Sequence, residues 1–543
     1  MKLGLLCEGS RGDCQPYVAL GLELVRQGFE VCVFTNVTHT KFVRSFGLKC
    51  EGVFYDVQAC LARKEVMDAM STGSFFKLMA ATQPVQDEEF PKFFPHFWSS
   101  VSAFAPEVVL SSCLCQLSAS LWCEAHDVPL VLVPLQPCLP SGKKAPLGLP
   151  KMPLEVLNRL SWRVIDLAIV KNMRKQRSFA EMSMQGAPIT ISGQTVKLSE
   201  LASSIDSIYD YEAEVANPNA PVILGISDLV CGGRGPEMGP RHHLTGWWVL
   251  EETHEMDRLK AGDENFGGAD AEALASFLGS GPPPVYLGWG SMTAISAAHM
   301  TKLAVTALQK TGQRGIVMKG WAKLGPEHLD TAELSEYAAE NVFFASSLPH
   351  EWLFPKCSCI VSHGGSGTTA ATLRSGRPAI ITPVFLDQFD FAESVVDLGV
   401  GVRTCQFNDV SAQQLASCIW KCTSDESIMA KAAELGARLV AENGVKNAVA
   451  ILRAFVDGPM KSGEWLQEER RRRKIRKSSS FSSLSDLVAW LQSCLPRSSW
   501  CCVPCDEDRT PAANENDQST KGRLLGNVEP PHKLRKLGET ASA

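Results

Sequence analysis

Short apolar runs recur along this chain with amphipathic stretches between them. Lys2 to Leu6, Val31 to Thr35, Val108 to Leu110 and Leu130 to Val133 read as strands, and so do Val285 to Trp289, Ile316 to Lys319, Val342 to Ala345, Cys359 to Val361 and Ala379 to Thr382. Strands alternating with helical periodicity predict parallel sheets covered by helices, here in two copies. Between Cys231 and Pro284 the chain turns rich in Gly, Pro and charge, which marks a connection. The expected plan is α/β, with doubly wound parallel-sheet domains at 1–230 and 285–460 and a linker region at 231–284. Leu20, Leu24 and Val25 give the stretch up to Gly28 an apolar helical stripe, with Pro16 fitting its first turn and Gly28 the position past its end. Val445 to Val456 reads as the helix that closes the second domain.

Residues 461–543 break this plan. Arg470 to Lys477 holds seven basic residues in eight, followed by Ser478, Ser479, Ser480, Ser482 and Ser483. Leu484, Leu487, Val488, Leu491 and Leu495 then share one helical face, ended by Pro496, with Cys501, Cys502 and Cys505 just beyond. One reading is a solvated, partly disordered tail whose short helix docks on the body. The other is a peripheral membrane contact through residues 470–505, in which basic side chains, an amphipathic helix and acylated cysteines act together and serine phosphorylation opposes them. A single CxxC without a second pair is half a zinc site. Beyond Asp506 the tail is polar and reads as disordered.

Composition narrows the class. A chain of 543 residues, 45% hydrophobic and 21% charged, suits a soluble globular protein, and a net charge of −6 gives no support for nucleic-acid binding. Nineteen cysteines are scattered through apparent core elements, including Cys32, Cys113 and Cys123, so a reducing, cytoplasmic setting is expected. The first residues are needed as a strand and are too briefly apolar for a signal peptide, and no run is long enough to span a bilayer.

The densest signal is CIVSHGGSGTTAATLRSGRPAIITPVFLDQ, Cys359 to Gln388. It reads as strand, glycine-rich turn, helix from Thr368 to Arg374, second strand and a polar pair. Such a turn aims free N–H groups and the positive end of a helix dipole at one spot, which suits a phosphate or diphosphate. A second unit stands at the amino terminus, where GSRGDCQP from Gly9 to Pro16 follows the first strand at the end where open α/β sheets bind ligands.

Together these segments, with Ser347 to Phe354 (SLPHEWLF), resemble the inverting, nucleotide-sugar-dependent glycosyltransferases of the two-domain GT-B type. Within that group they most resemble the sterol 3-beta-glucosyltransferases and the bacterial macrolide and glycopeptide glycosyltransferases. The resemblance implies two Rossmann-like domains facing a cleft, with the last helix of the second packing back on the first. It implies a hexose moved from a UDP-sugar, UDP-glucose by preference, to a lipophilic hydroxyl, most readily a sterol. The rival readings are transfer to a polyketide or other secondary metabolite, and a nucleotide-sugar-binding protein without transferase activity.

Asp13 aligns with the base that deprotonates the acceptor, and its plainer role is to cap the helix expected to begin at Pro16. Ser10, Arg11 and Gly12 complete that acceptor-side loop. His363 with Gly365, Ser366, Gly367 and Thr368 would hold the diphosphate, helped by Ser291, without any metal or cofactor. Asp387 and Gln388 would read the sugar hydroxyls. The tryptophan on which plant relatives stack the base aligns with Ser347, leaving Trp321 as a substitute and Leu348 to meet the base through its backbone. Ser362 replaces a common histidine, and Leu386 a common glycine beside the sugar. Phe75, Phe76, Phe90, Phe93, Phe94, Phe97 and Trp98, with the loop 134–150, would line an apolar acceptor pocket or simply fill a core.

Overall fold

The computed structural model describes residues 1–136, 141–146, 149, 151–184, 189–191, 194–196, 217–233 and 238–478. The first sheet holds β1 (Lys2–Leu6), β2 (Glu30–Asn36), β3 (Lys49–Phe54), β4 (Val108–Ser111), β5 (Leu130–Leu132), β8 (Val222–Leu224) and β9 (His242–Leu244), with the hairpin β6 (Ile189–Ile191) and β7 (Gln194–Val196) apart from it. Its order is β3-β2-β1-β4-β5-β8-β9, and every pairing is parallel. The second sheet runs β12 (Val342–Ala345), β11 (Gly315–Met318), β10 (Val285–Gly288), β13 (Ile360–Ser362), β14 (Ala379–Ile381), β15 (Gly401–Arg403), again parallel throughout. All-parallel sheets need helices on both faces, so their strands are apolar on both, as β1, β10 and β13 are. In each sheet the strand order reverses beside the first strand, between β1 and β4 and between β10 and β13. Those switch points open crevices at the carboxyl ends of the strands. The two conspicuous glycine motifs follow β1 and β13, so each sits at a crevice.

Two boundaries differ from the sequence expectation. β9 ends at Leu244, so the first sheet extends past Cys231 and into the supposed linker. Its three residues, His242, His243 and Leu244, carry a single apolar side chain, too little to stand out against a Gly- and Pro-rich background. The tail also begins later, because Glu464–Ser478 is a helix. Trp465 joins the first domain's core, and Asn217 donates to the Trp465 carbonyl and to Glu469. Arg470 and Arg473 both pair with Asp127, while Arg471 and Arg472 pair with Glu468. The guanidinium groups from Arg470 to Arg473 are thus engaged by the protein itself. The amphipathic stretch after Ser483 lies outside the described residues.

The helix Gly444–Phe455 does pack back on the first domain, placing Ala448, Val449, Leu452 and Phe455 in one core with Leu20 and Leu24. Of the aromatic run, Phe90, Phe94, Phe97 and Trp98 are core of the first domain and Phe75 is buried, whereas Phe76 is exposed. The core reading therefore accounts for most of that run.

Asp127 also carries the left-handed turn that ends the helix Gln116–His126, with φ of 53°. Asp127→Asn keeps a residue that tolerates this backbone and removes the charge shared by Arg470 and Arg473. A partly exposed pair of this kind is worth about 1 kcal/mol. The variant should unfold at slightly lower urea concentration and lose part of that deficit in high salt.

Candidate active site

The cleft wall of the first domain is built by the turn after β1. Its helix starts at Arg11 rather than Pro16, and Ser10 is the N-cap. Asp13 occupies the third helical position and closes a capping box: one carboxylate oxygen accepts from the Ser10 N–H at 2.7 Å and the Ser10 hydroxyl at 3.0 Å. Its other oxygen receives only a long contact, 3.4 Å, from the Gln136 amide. Capping therefore uses one Asp13 oxygen and leaves the other with that single long contact. Gly9 is required here, since its φ is +132° and a Cβ would lie 2.3 Å from the Asp13 carboxylate. Asn36 and His39 hold the turn from behind, through the Gly9 N–H and carbonyl respectively.

The opposite wall belongs to the second domain. The helix Ser366–Arg374 begins two residues earlier than its sequence suggested, with Gly365 as N-cap and no side-chain cap, so its first N–H groups are left for a ligand. His363 is 9% exposed, and its ring is wedged between two glycines. A Cβ on Gly290 would stand 3.3 Å from Cε1 and one on Gly365 2.5 Å from Nε2. The His363 Nδ1 and the Thr369 hydroxyl are buried without a hydrogen-bond partner. Buried polar atoms are normally satisfied, so these two keep hydrogen-bonding capacity among the described residues. Gly367 faces Gly12 across the cleft, bringing two helix N-termini toward the same space.

The remaining expected site residues divide into two groups. Ser291 and Thr368 stand half-buried in the turn after β10 and the first turn of the Ser366–Arg374 helix. Trp321 is tied to the β10 turn through its N–H on the Gly290 carbonyl at 3.0 Å. Asp387 opens the helix Asp387–Asp397 on the same side of the cleft. Other residues are committed elsewhere. The Ser366 hydroxyl donates across the cleft to the Leu135 carbonyl at 2.8 Å, leaving its N–H for an anion. The Gln388 carbonyl accepts from the Val384 and Phe385 N–H groups at 2.8 and 3.2 Å, so it shapes the turn and cannot also accept from a sugar. The Leu348 side chain is core, packed with Tyr286 and Leu353, which leaves its expected backbone contact untouched. Arg11 is a clamp: its guanidinium lies beside the stacked rings of Phe42 and Phe266, 4.7 Å from each centroid, and donates to the Asn265 carbonyl at 2.7 Å. Ser347, where a stacking tryptophan would align, donates to that same carbonyl. Leu386 adopts φ 53° and ψ −133°, a conformation that suits the glycine it replaces.

Burial governs the electrostatics. It raises Asp13 above the ordinary carboxylate range, opposed mainly by the Ser10 hydrogen bonds. Burial, then the charges of Asp13 and Asp390, push Asp387 up to about 7. Asp13 and Asp387 therefore feel each other across the cleft. Burial likewise pushes Glu8 up to about 7 and Glu255 up to about 8, and pulls His363 down to about 4 and His350 to about 3.

These shifts oppose one another in stability. The raised carboxyls hold protons that the unfolded chain has released, so their contribution is complete below the ordinary carboxylate pKa and fades as pH rises through about 7 to 8. The neutral histidines act in reverse, losing stability as pH falls below their ordinary 6.5 toward about 4 and 3. Above pH 6.5 the raised carboxyls and, toward pH 8.5, the buried thiols both favour the unfolded chain as pH rises, so the thermal midpoint of the ligand-free protein should fall between pH 6.5 and 8.5. Calorimetry across that range checks this, and a midpoint that rises would contradict it.

Sequence reasoning missed Glu8, Asn36, His39 and Gln136. The available signal was positional, because each is polar and lies at or just beyond the carboxyl end of a strand in the first sheet.

Comparison with known proteins agrees with this geometry. Residues 328–455, which include the His363 turn and Asp387, match the family model described as erythromycin biosynthesis protein CIII-like, C-terminal domain. A sterol 3-beta-glucosyltransferase of Vanderwaltozyma polyspora is 27% identical over 465 residues, covering 82% of this chain and 34% of the relative. Another, from Arabidopsis thaliana, is 26% identical over 518 residues, covering 93% of this chain and 74% of the relative. The chain thus spans about a third of the length of the yeast relative. Among solved structures, the glycosyltransferase of kitacinnamycin superposes with a TM-score of 0.54 at 16% identity, over 83% of this chain and 98% of that one. The glycosyltransferase VinC, solved with dTDP, gives 0.53 at 15% identity, over 84% and 100%. These likenesses establish the GT-B architecture and a similarity to sterol glucosyltransferases along most of the chain.

Proposed function

We propose that this chain is an inverting glycosyltransferase that moves a hexose, glucose from UDP-glucose, to the hydroxyl of a lipophilic acceptor, a sterol in the first instance. One observation carries the reading: a half-buried carboxylate, Asp13, faces an anion site with unpartnered side-chain atoms on the opposite wall. Inversion needs both on opposite sides of the reacting carbon. Asp13 takes the acceptor proton as that oxygen forms its bond to the anomeric carbon. The bond from that carbon to the diphosphate oxygen breaks, and UDP leaves with the electron pair. Burial makes Asp13 a stronger base than a solvated aspartate, which moves it toward the operating pH. The Ser366–Arg374 helix N-terminus, His363 and Thr368 stabilise the departing diphosphate. Asp387 is placed to bind sugar hydroxyls.

The names of the relatives support sterol as acceptor and the shared fold supports a nucleotide sugar as donor. A membrane-surface contact through residues 470–505 would have to compete with the ion pairs that Arg470 to Arg473 already make. The reading needs no resident metal, because the diphosphate charge is met by N–H groups and side-chain donors, so EDTA should leave the rate unchanged.

The test is incubation of the purified chain with UDP-glucose and a 3-hydroxysterol, following UDP release and the glucosylated sterol by mass spectrometry. Sterol-dependent release with product supports the proposal. Binding of UDP-glucose without transfer to any lipophilic alcohol would favour the binding-only alternative.

A further inference from the structure

The second domain also grips the first through a clasp beside the sugar-side turn. The helix Lys64–Ser71 belongs to the stretch between β3 and β4. It keeps Lys64, Glu65 and Asp68 in solvent and buries Val66 and Met70 on its other face. Val66 and Met70 pack in one apolar cluster with Met292, Val384 and Phe385, which lie just beyond the carboxyl ends of β10 and β14. On this side one helix stands between solvent and the turn that leads into Asp387.

The last carbonyls of a helix have no partner within it, and that of Ser71 is met from the other domain. Gln406 Nε2 donates to it at 2.7 Å and Asn408 Nδ2 at 3.1 Å. The Gln406 amide also donates to the Val384 carbonyl at 3.3 Å, three residues before Asp387. One side-chain amide thus joins a first-domain helix to the sugar-side turn. Gly73 suits this close approach, since its φ is +65° and a Cβ there would stand 3.0 Å from Gln406 Nε2. The Phe407 N–H donates to the Pro383 carbonyl at 2.9 Å, so Gln406 is carried on the turn it secures.

Water competes with the acceptor for an activated anomeric carbon. Its oxygen would bond to that carbon, its proton would pass to Asp13, and UDP would leave with the electron pair, giving free sugar and no glycoside. Closing a site over the substrate suppresses this side reaction. Resting on the transferase reading, we propose that Gln406 is a positioning residue which, with Asn408, holds the Lys64–Ser71 helix shut against the sugar-side turn and so favours transfer over hydrolysis of the donor. Gln406 acts on both partners, Asn408 on the helix.

The experiment uses the full chain with UDP-glucose. It measures hydrogen exchange at residues 64–73, free glucose released, and glycoside formed with a 3-hydroxysterol. Gln406→Met removes both donated bonds at similar volume, and Asn408→Leu removes one. Each lost hydrogen bond shifts an opening equilibrium by about three- to tenfold, so exchange at 64–73 should quicken by that factor in either variant. The ratio of glucose to glycoside should rise in step, and further in Gln406→Met, which also frees the Val384 carbonyl. Affinity for UDP alone should stay at the wild-type value, because the anion site lies around His363 and the Ser366–Arg374 helix. Thermal midpoints show that the variants are folded, and Asn408→Leu, which leaves the Val384 bond in place, carries the test should Gln406→Met not fold. A glucose-to-glycoside ratio that stays at the wild-type value overturns the proposal, as does unchanged exchange at 64–73. A wild type that neither transfers nor hydrolyses UDP-glucose defeats the transferase reading and this proposal with it, whereas transfer at an unchanged ratio defeats this proposal alone.

Discussion

Asp13→Asn should lower glucose transfer by about 10²–10⁴-fold, the usual contribution of a positioned general base. The substitution is unusually clean at this position. Asparagine keeps an oxygen that can accept from the Ser10 N–H, so the capping box that starts the Arg11–Arg26 helix survives. The loss of stability should stay within about 1 kcal/mol, the scale of a whole N-cap. Donor affinity should hardly change, because the anion site lies on the other wall, around His363 and the Ser366–Arg374 helix. The expected signature is a fall in kcat with the UDP-glucose dissociation constant unchanged, since only an interaction gained in the transition state has been removed. A variant that keeps more than a third of wild-type kcat would remove Asp13 from the mechanism.

Much of this site could be read without coordinates, for a physical reason. A glycine-rich turn between an apolar strand and a helix has few alternative conformations, so HGGSG after Ile360–Ser362 and GSRGD after β1 fix their local geometry. Strand periodicity likewise exposed both parallel sheets. What stayed hidden depends on long-range pairing. Only coordinates show that the Val384 and Phe385 N–H groups occupy the Gln388 carbonyl, which leaves its amide N–H side for a sugar. Arg11 looks like a loop cation until Phe42 and Phe266, distant in sequence, come to lie beside it. Only coordinates show that Arg470 and Arg473 share Asp127. Short strands such as β9 escape because three residues carry too little periodicity to outweigh a loop-like composition.

His363→Ala should cost about 10²–10³-fold in kcat/KM, the scale for losing one preorganised donor to a developing anion. The imidazole is held down to about 4 by burial, so it is neutral at pH 7 and acts as a hydrogen-bond donor, not a cation. His363→Gln, which retains an N–H, should recover part of the loss, whereas His363→Lys should not. The glycines around the ring give an independent test that leaves histidine in place. A methyl on Gly365 would stand 2.5 Å from Nε2, far inside contact distance, and must displace the ring. Gly365→Ala should therefore approach the defect of His363→Ala, and the double variant should be little worse than either alone, since both remove one interaction. Fully additive losses would mean that Gly365 matters for the backbone of the anion site and not for placing His363. An unaltered kcat/KM in His363→Ala would show that the helix N-terminus alone holds the diphosphate.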